Sequence, residues 1–402
     1  SSLAASTKNG SLEEKCLLPL IYHSNAHSQT KKQLWQCLQP ILGRKVSRSS
    51  LYKAFDEAEK HHGAQKQKLT HLFEREFNPD SNISVVLTGR PYVVLSPAMN
   101  KGIPDIFSKM GIKTFYQDMI PAAHEDFADI DPFLERIPWH YAVNILRTAK
   151  IASITHGLFP VLITAFKCAP DSFIIEYFKK ILDAHHKPYL ILQIDEHQSS
   201  TGFETRIEAA IRTFKNHATQ KPIRSRKVCF QEIFPIKRIN NKKTLLFPNW
   251  DPISGPLLVA NLQRSGIDAR LLQSDPMIIK RAMATNTGQC LPLNIIVQEF
   301  IEYVQKHELR PEDTILWMME GLLSCNLRQF PYYMKALLND YGKGMEKASI
   351  YSGKVTHLDI SLKTCYYAYF AHLFGGLLRK MGCKYRPYEI VKGTTDGAID
   401  RS

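Results

Sequence analysis

The chain has 402 residues, 44% of them apolar, with eight cysteines and a formal charge of +14. That length allows two or three domains with filled cores, and no run of about 18 apolar residues exists to read as a membrane span. The basic residues fall in polar stretches such as KKQLWQ, RKVSRSS, KPIRSRK and IKRINNKK; no zinc-finger spacing, aromatic RNA-binding strand or basic heptad accompanies them, so specific nucleic-acid binding is not expected.

In chain order, residues 1–33 form a polar N-terminal segment; its opening, SSLAASTKNGSLEEK, lacks the apolar content to fold. No signal-like leader is present, which makes a cytoplasmic, reducing location the expectation and favours thiols or metal ligands over disulfides. Residues 34–80 read as helical, basic, peripheral support.

From 81 to 235 the pattern alternates. ISVVLTG is a strand ended by Gly89. PDIFSKMG is a short helix opened by Pro104, with Asp105 in its first turn and Gly111 as its stop. IKTFYQ is the next strand, WHYAVNILRTAKIAS a helix and FPVLITAF a strand. The helix after Cys168, the strand YLILQI and a helix from about Glu204 to Phe214 follow. His185-His186 read as a solvated helix end.

RKVCFQEIFPIKRINNKK breaks the rhythm and marks a boundary. In the second unit, 240–392, TLLFPNW, PLLVANLQRSG and IDARLL repeat the earlier strand–helix–strand order, and TILWMME with the helix after Cys325 repeats the Cys168 unit. The expected fold is α/β: two related lobes with mainly parallel sheets flanked by helices, plus peripheral helices. The helix CYYAYFAHLFGGLLRKMG is apolar on most sides and is expected to pack between or against the lobes. Residues 393–402 read as a truncated tail.

Three cysteines sit where such a fold presents ligands. Cys168 and Cys325 follow strands and precede helices, and Cys290 stands directly ahead of a helix with Pro292 in its first turn. Exposed amides at such turns stabilise thiolates, the form that binds iron. The competing reading is inert burial, common for cysteine, and it covers Cys37, Cys229, Cys365 and Cys383.

Gly89-Arg90-Pro91-Tyr92 follows a strand on the ligand side of a sheet. Arg90 is suited to a phosphate or carboxylate ligand, with Asn100 and Gly102 shaping the approach to a helix N-terminus; the alternative is that Arg90 pairs with a carboxylate and joins two loops. Asp195-Glu196-His197 ends a strand. A carboxylate beside an imidazole can orient a proton or bind a metal, while Arg206 bridging to Asp195 or Glu196 beside a Ser/Thr helix cap is the structural reading. No nucleophile elbow, zinc motif or dinucleotide fingerprint occurs, so a freestanding hydrolase or dehydrogenase is not expected.

GRPYVVLSPAMNKGIPDIF, IPWHYAVNILRTAK, FKCAPDSF and QIDEHQSSTGFETRIEAAI occur in the order found in long activator-type proteins of 2-hydroxyacyl-CoA dehydratases. NTGQCLPL and LLSCNLRQF resemble that family's second cysteine-bearing lobe, so the resemblance runs from about Leu12 to Ile390. It implies an iron–sulfur cluster, expected as [4Fe-4S], on Cys168, Cys290 and Cys325, with Cys16 in KCLLPLIYHSN at the position of a further family cysteine. It also implies relay of low-potential electrons, supplied by ATP hydrolysis in an ATPase segment absent here, to an acyl-CoA dehydratase or another redox partner.

No nucleotide signature is present, so neither an ATP site nor turnover by this chain alone is expected. The first lobe is expected to be cut at its start, and a homo-oligomer is a further expectation. Ser324-Cys325-Asn326 departs from the family's Gly-Pro-Cys-Arg and loses a positive charge beside the sulfur. The alternative function is a cluster-free binding module whose basic surface takes an acidic partner or a CoA-like ligand.

Overall fold

The computed structural model describes residues 17, 19, 27–80, 83–121, 127–165, 170–195, 200–220, 236, 242–273, 275–284, 290–318, 326–352 and 361–401. Two helices come first, α1 (His27–Leu42) and α2 (Arg48–Glu76). Ser47 caps α2 by accepting from the Ser50 amide. Most of this 29-residue helix is exposed. Its last turn docks on the first lobe through Phe73, which stacks on Phe77 and meets Phe115 edge-on, and through Glu76, which pairs with Lys113 at 2.9 Å.

The first lobe runs β1 (Ser84–Gly89), α3 (Ile103–Lys109), β2 (Lys113–Tyr116), α4 (His140–Ile154), β3 (Leu158–Thr164), α5 (Pro170–Ala184), β4 (Leu190–Gln193) and α6 (Ser200–Ala218). The second runs β5 (Thr244–Phe247), α7 (Ser254–Arg264), β6 (Ala269–Leu271), α8 (Pro276–Ala284), α9 (Leu291–Lys306), β7 (Thr314–Met318), α10 (Phe330–Tyr341), β8 (Ser349–Ser352) and α11 (Leu362–Tyr385), with α12 (Thr394–Asp400) after it.

Both sheets are parallel and share one topology, β2-β1-β3-β4 and β6-β5-β7-β8. β1 and β3 are buried along their whole length, which is why they read as continuous apolar runs and not as alternating ones. The two-lobed α/β expectation is met. No helix among the described residues is long and apolar enough to cross a membrane.

One face of each sheet turns toward the other lobe. Leu162 of the first sheet and Leu246, Leu316 and Ile350 of the second belong to a single buried cluster with side chains of α4, α5, α9 and α10. The opposite faces have separate cores: Phe203, Ile207 and Phe214 of α6 cover the first sheet, while Val259 and Leu262 of α7 cover the second.

Several readings change. β8 was not apparent in the sequence; it is held by pairing with β7 and by a parallel bridge from Ile236 to Tyr351, so the boundary segment adds to the second sheet at that point. α8 was also not apparent. His185 is no solvated helix end: it is half-buried, 3.1 Å from the Lys150 ammonium, and burial, reinforced by that charge, lowers its pKa. α11, expected between or against the lobes, packs against α7 of the second lobe and exposes much of its apolar surface.

Candidate functional site

With strand order 2-1-3-4, the connections after β1 and β3 leave in opposite directions and open a crevice at the carboxyl ends of those strands, the usual ligand position of an open α/β sheet. Gly89 ends β1 there with φ 153°. A Cβ on it would lie 2.4 Å from the Ile163 carbonyl oxygen of β3 and 2.7 Å from Val94, so this position accepts only glycine. Its amide donates to Gln117 Oε1 at 3.1 Å.

Arg90 spans the crevice. Its Nε donates to Asp171 Oδ1 at 2.8 Å and its Nη1 to the Tyr92 hydroxyl at 3.1 Å, while the guanidinium lies 5.1 Å from the Tyr141 ring centre. Thr164, the last residue of β3, donates to the other oxygen of Asp171 at 2.8 Å. Asp171 occupies the first turn of α5, where a negative charge is favourable. The pair is largely buried, at 16% and 7% exposure. Beside it the Tyr141 hydroxyl is held in its protonated form, first by burial and then by the nearby Asp171 charge.

Asn100 is committed to local structure: Nδ2 donates to the Val94 carbonyl at 2.8 Å and Oδ1 accepts from the Gly102 amide at 3.0 Å. Gly102 enters α3 at φ 71° and gives it no side-chain cap. Of the residues read as a ligand loop, Arg90 is tied to α5 and Gly89 to Gln117, while Asn100 and Gly102 are bonded within their own segment. Arg206 donates to the Ile191 carbonyl at 2.6 Å, and Asp195 is exposed after β4; Glu196 and His197 lie outside the described residues.

The second lobe has the equivalent crevice between β5 and β7. In sequence, Cys168 follows β3 and Cys325 follows β7, the strands with the same place in the two sheets. Both cysteines, and Cys16, lie outside the described residues. Cys290 is described: it is the N-cap of α9, half-buried and packed against the shared core. Asn294, one turn further along the same face, is buried, and its Oδ1 has no hydrogen-bond partner among the described residues.

The two lobes meet close to these crevices. Phe173 in the first turn of α5 contacts Phe330 and Tyr333 of α10, with ring centres 6.2 and 5.6 Å apart. Gln329, just ahead of α10, donates to the Arg136 carbonyl at 2.8 Å, and Arg136 lies 5.1 Å from the Tyr332 ring centre. The N-termini of α5 and α10 therefore abut, and their dipoles together favour an anionic group or a thiolate. Asp171, Thr164, Tyr141 and Gln329 were not singled out in the sequence; the Pro-Asp pair opening α5 is the signal that would have pointed to Asp171. Among the described residues, no group of three or more His, Cys, Asp or Glu side chains could hold a metal.

The fit to an iron–sulfur cluster rests on the donor set. Cys290 supplies a soft sulfur at a helix N-cap, where the backbone amides of the first turn favour a thiolate.

No curated protein matches the chain. A solved structure, tagatose-6-phosphate ketose/aldose isomerase from Escherichia coli, is 11% identical over 90% of this chain and 94% of its own, with a TM-score of 0.15; a likeness that low carries no argument. The family model described as "CoA enzyme activase uncharacterised domain (DUF2229)" matches residues 2–120. That segment takes in α1, α2, β1, α3 and β2 with the Gly89-Arg90 turn, and it ends ahead of Cys168, Cys290 and Cys325. The similarity to a CoA enzyme activase domain is thus confined to residues 2–120, less than a third of the chain.

Proposed function

We propose that this chain is the dehydratase-like region of a CoA-enzyme activator and holds an iron–sulfur cluster between its lobes, relaying low-potential electrons toward an acyl-CoA dehydratase or a similar reduction. The activase-type segment supports the activator role. The observation that carries the finer reading is Cys290 at the N-cap of α9, with Cys168 and Cys325 following topologically equivalent strands of two lobes that face each other.

In this reading Cys168, Cys290 and Cys325 are the sulfur donors, with Cys16 as a further one. The abutting helix N-termini lower the thiol pKa and offset the negative charge of a thiolate-bound cluster. Reducing power comes from ATP hydrolysis by an activase-type ATPase outside these residues. When bound, the cluster supplies one-electron transfer at low potential. Arg90, Asp171 and Thr164 act as the brace that fixes the α5 N-terminus.

The test is iron and acid-labile sulfide per chain after anaerobic reconstitution, read with visible absorbance. Stoichiometric iron that is lost in Cys168→Ala, Cys290→Ala and Cys325→Ala is the expected result. No iron in a folded wild-type chain would remove the cluster and leave the binding-module reading.

A further inference from the structure

α11 buries a narrow seam of Thr364, Gly375, Leu378 and Gly382. At 100° per residue these fall on one side of the helix. Gly375 is what permits the contact: a Cβ there would lie 2.8 Å from Ser254 Cβ of α7. On the opposite side stand Tyr366, Tyr369, Phe370, Leu373, Phe374 and Leu377, each between 42% and 62% exposed. No charged residue occurs between Lys363 and Arg379.

We infer that this outward face of α11 is the docking surface for a second copy of the chain, related by a twofold axis near the middle of the helix. The inference is independent of cluster binding. A helix that is apolar around its circumference belongs in an interior, and α7 covers one side only. A bilayer-surface helix carries its charges opposite its apolar face; here the opposite face is already used against α7.

The area suits a dimer. Aromatic side chains offer roughly 150–250 Å² each, so these half-exposed residues together with Tyr367 present about 700 Å², close to the roughly 800 Å² per partner of a stable interface. Tyr and Phe are also the residues that interface cores favour.

The two ends of the face complement each other under twofold symmetry. At one end Leu362 projects with 72% exposure. Beside the other end, between α11 and α12, a groove of about 600 Å³ is lined by Met381, Tyr385, Tyr388 and Ile399. Antiparallel pairing sets the Leu362 of each copy at Met381 and Tyr385 of the other. It also brings Lys363 near Lys380, a like-charge contact that salt screens. Self-association should therefore strengthen as salt rises, whereas an acidic partner or an anionic bilayer would bind more weakly.

Sedimentation velocity and light scattering on the full chain across micromolar concentrations test this. The expected result is twice the chain mass, with the dimer favoured by added salt. Phe370→Glu combined with Leu373→Glu should halve the mass while leaving the circular dichroism unchanged, and Met283→Glu, on exposed α8, should stay dimeric. A single-chain mass at every concentration and salt level overturns the inference, as does a dimer that survives the double substitution. Flotation of single chains with vesicles of phosphatidylcholine and phosphatidylserine would assign the face to membrane instead.

Discussion

In each lobe a helix follows the fourth strand in sequence order, yet these two helices, α6 and α11, are used in opposite ways. α6 turns Phe203, Ile207 and Phe214 onto its sheet and is polar outside. α11 meets α7 through small residues, Thr364 and Gly375, and turns most of its large ones outward. The same topology therefore yields one closed lobe and one whose outer layer needs a further surface. Apolar content alone makes a helix; which residues are small decides which side it buries.

The largest effect should come from cutting the closed layer. Phe214→Ala removes a fully buried ring stacked on Phe159 at 4.6 Å and should cost about 3–5 kcal/mol in denaturant unfolding. A loss below 1 kcal/mol would mean that α6 is no better anchored than α11. Next, Asp171→Ala strands Arg90 in a mostly buried site and should cost about 2–4 kcal/mol; Arg90→Met in the same background should recover part of it.

Gly375→Leu, which wedges α11 away from α7, should cost about 1–3 kcal/mol. An unchanged midpoint would show that α11 is not seated as described. At the small end, Phe370→Ala in dilute, unassociated chain should shift stability by no more than about 0.5 kcal/mol.

Acid should act through the first lobe. His185 and His217 are both held below the ordinary histidine value of 6.5, by burial first and then by Lys150 and Lys187 respectively. The unfolded chain takes up those protons first as pH falls. Their contribution is thus complete above 6.5 and is lost as pH drops through the lowered values. Thermal melts should decline over that window, and His185→Gln with His217→Gln should flatten the profile; an unaltered slope would place the acid sensitivity elsewhere. In the same region burial alone lowers the Lys187 ammonium to about 8, so stability gains a further increment as pH rises above that value.

Much of the architecture was legible because parallel strands buried on both faces announce themselves as uninterrupted apolar runs, as in SVVLTG and LFPVLIT. β8, the four residues SIYS, carries no such run and becomes a strand through β7 and Ile236. Arg90 could be named from its place after a strand, but not its carboxylate partner 81 positions away, since that pairing follows from strand order. The outward face of α11 was illegible for a different reason: its composition fits a buried helix equally well, and the small residues that set its contact are scattered along it.

The cluster shared by the inner faces of the two sheets bears on how the molecule comes apart. Side chains from β3, β5, β7 and β8 contribute to the same dry interior, so separating the halves uncovers both at once. Equilibrium unfolding should be a single cooperative transition, and the slowest amide exchange should appear in both central strand pairs together, β1 with β3 and β5 with β7. A polypeptide ending near residue 236 would carry half of that interior to solvent and should be recovered as an aggregate, not as a folded half-molecule.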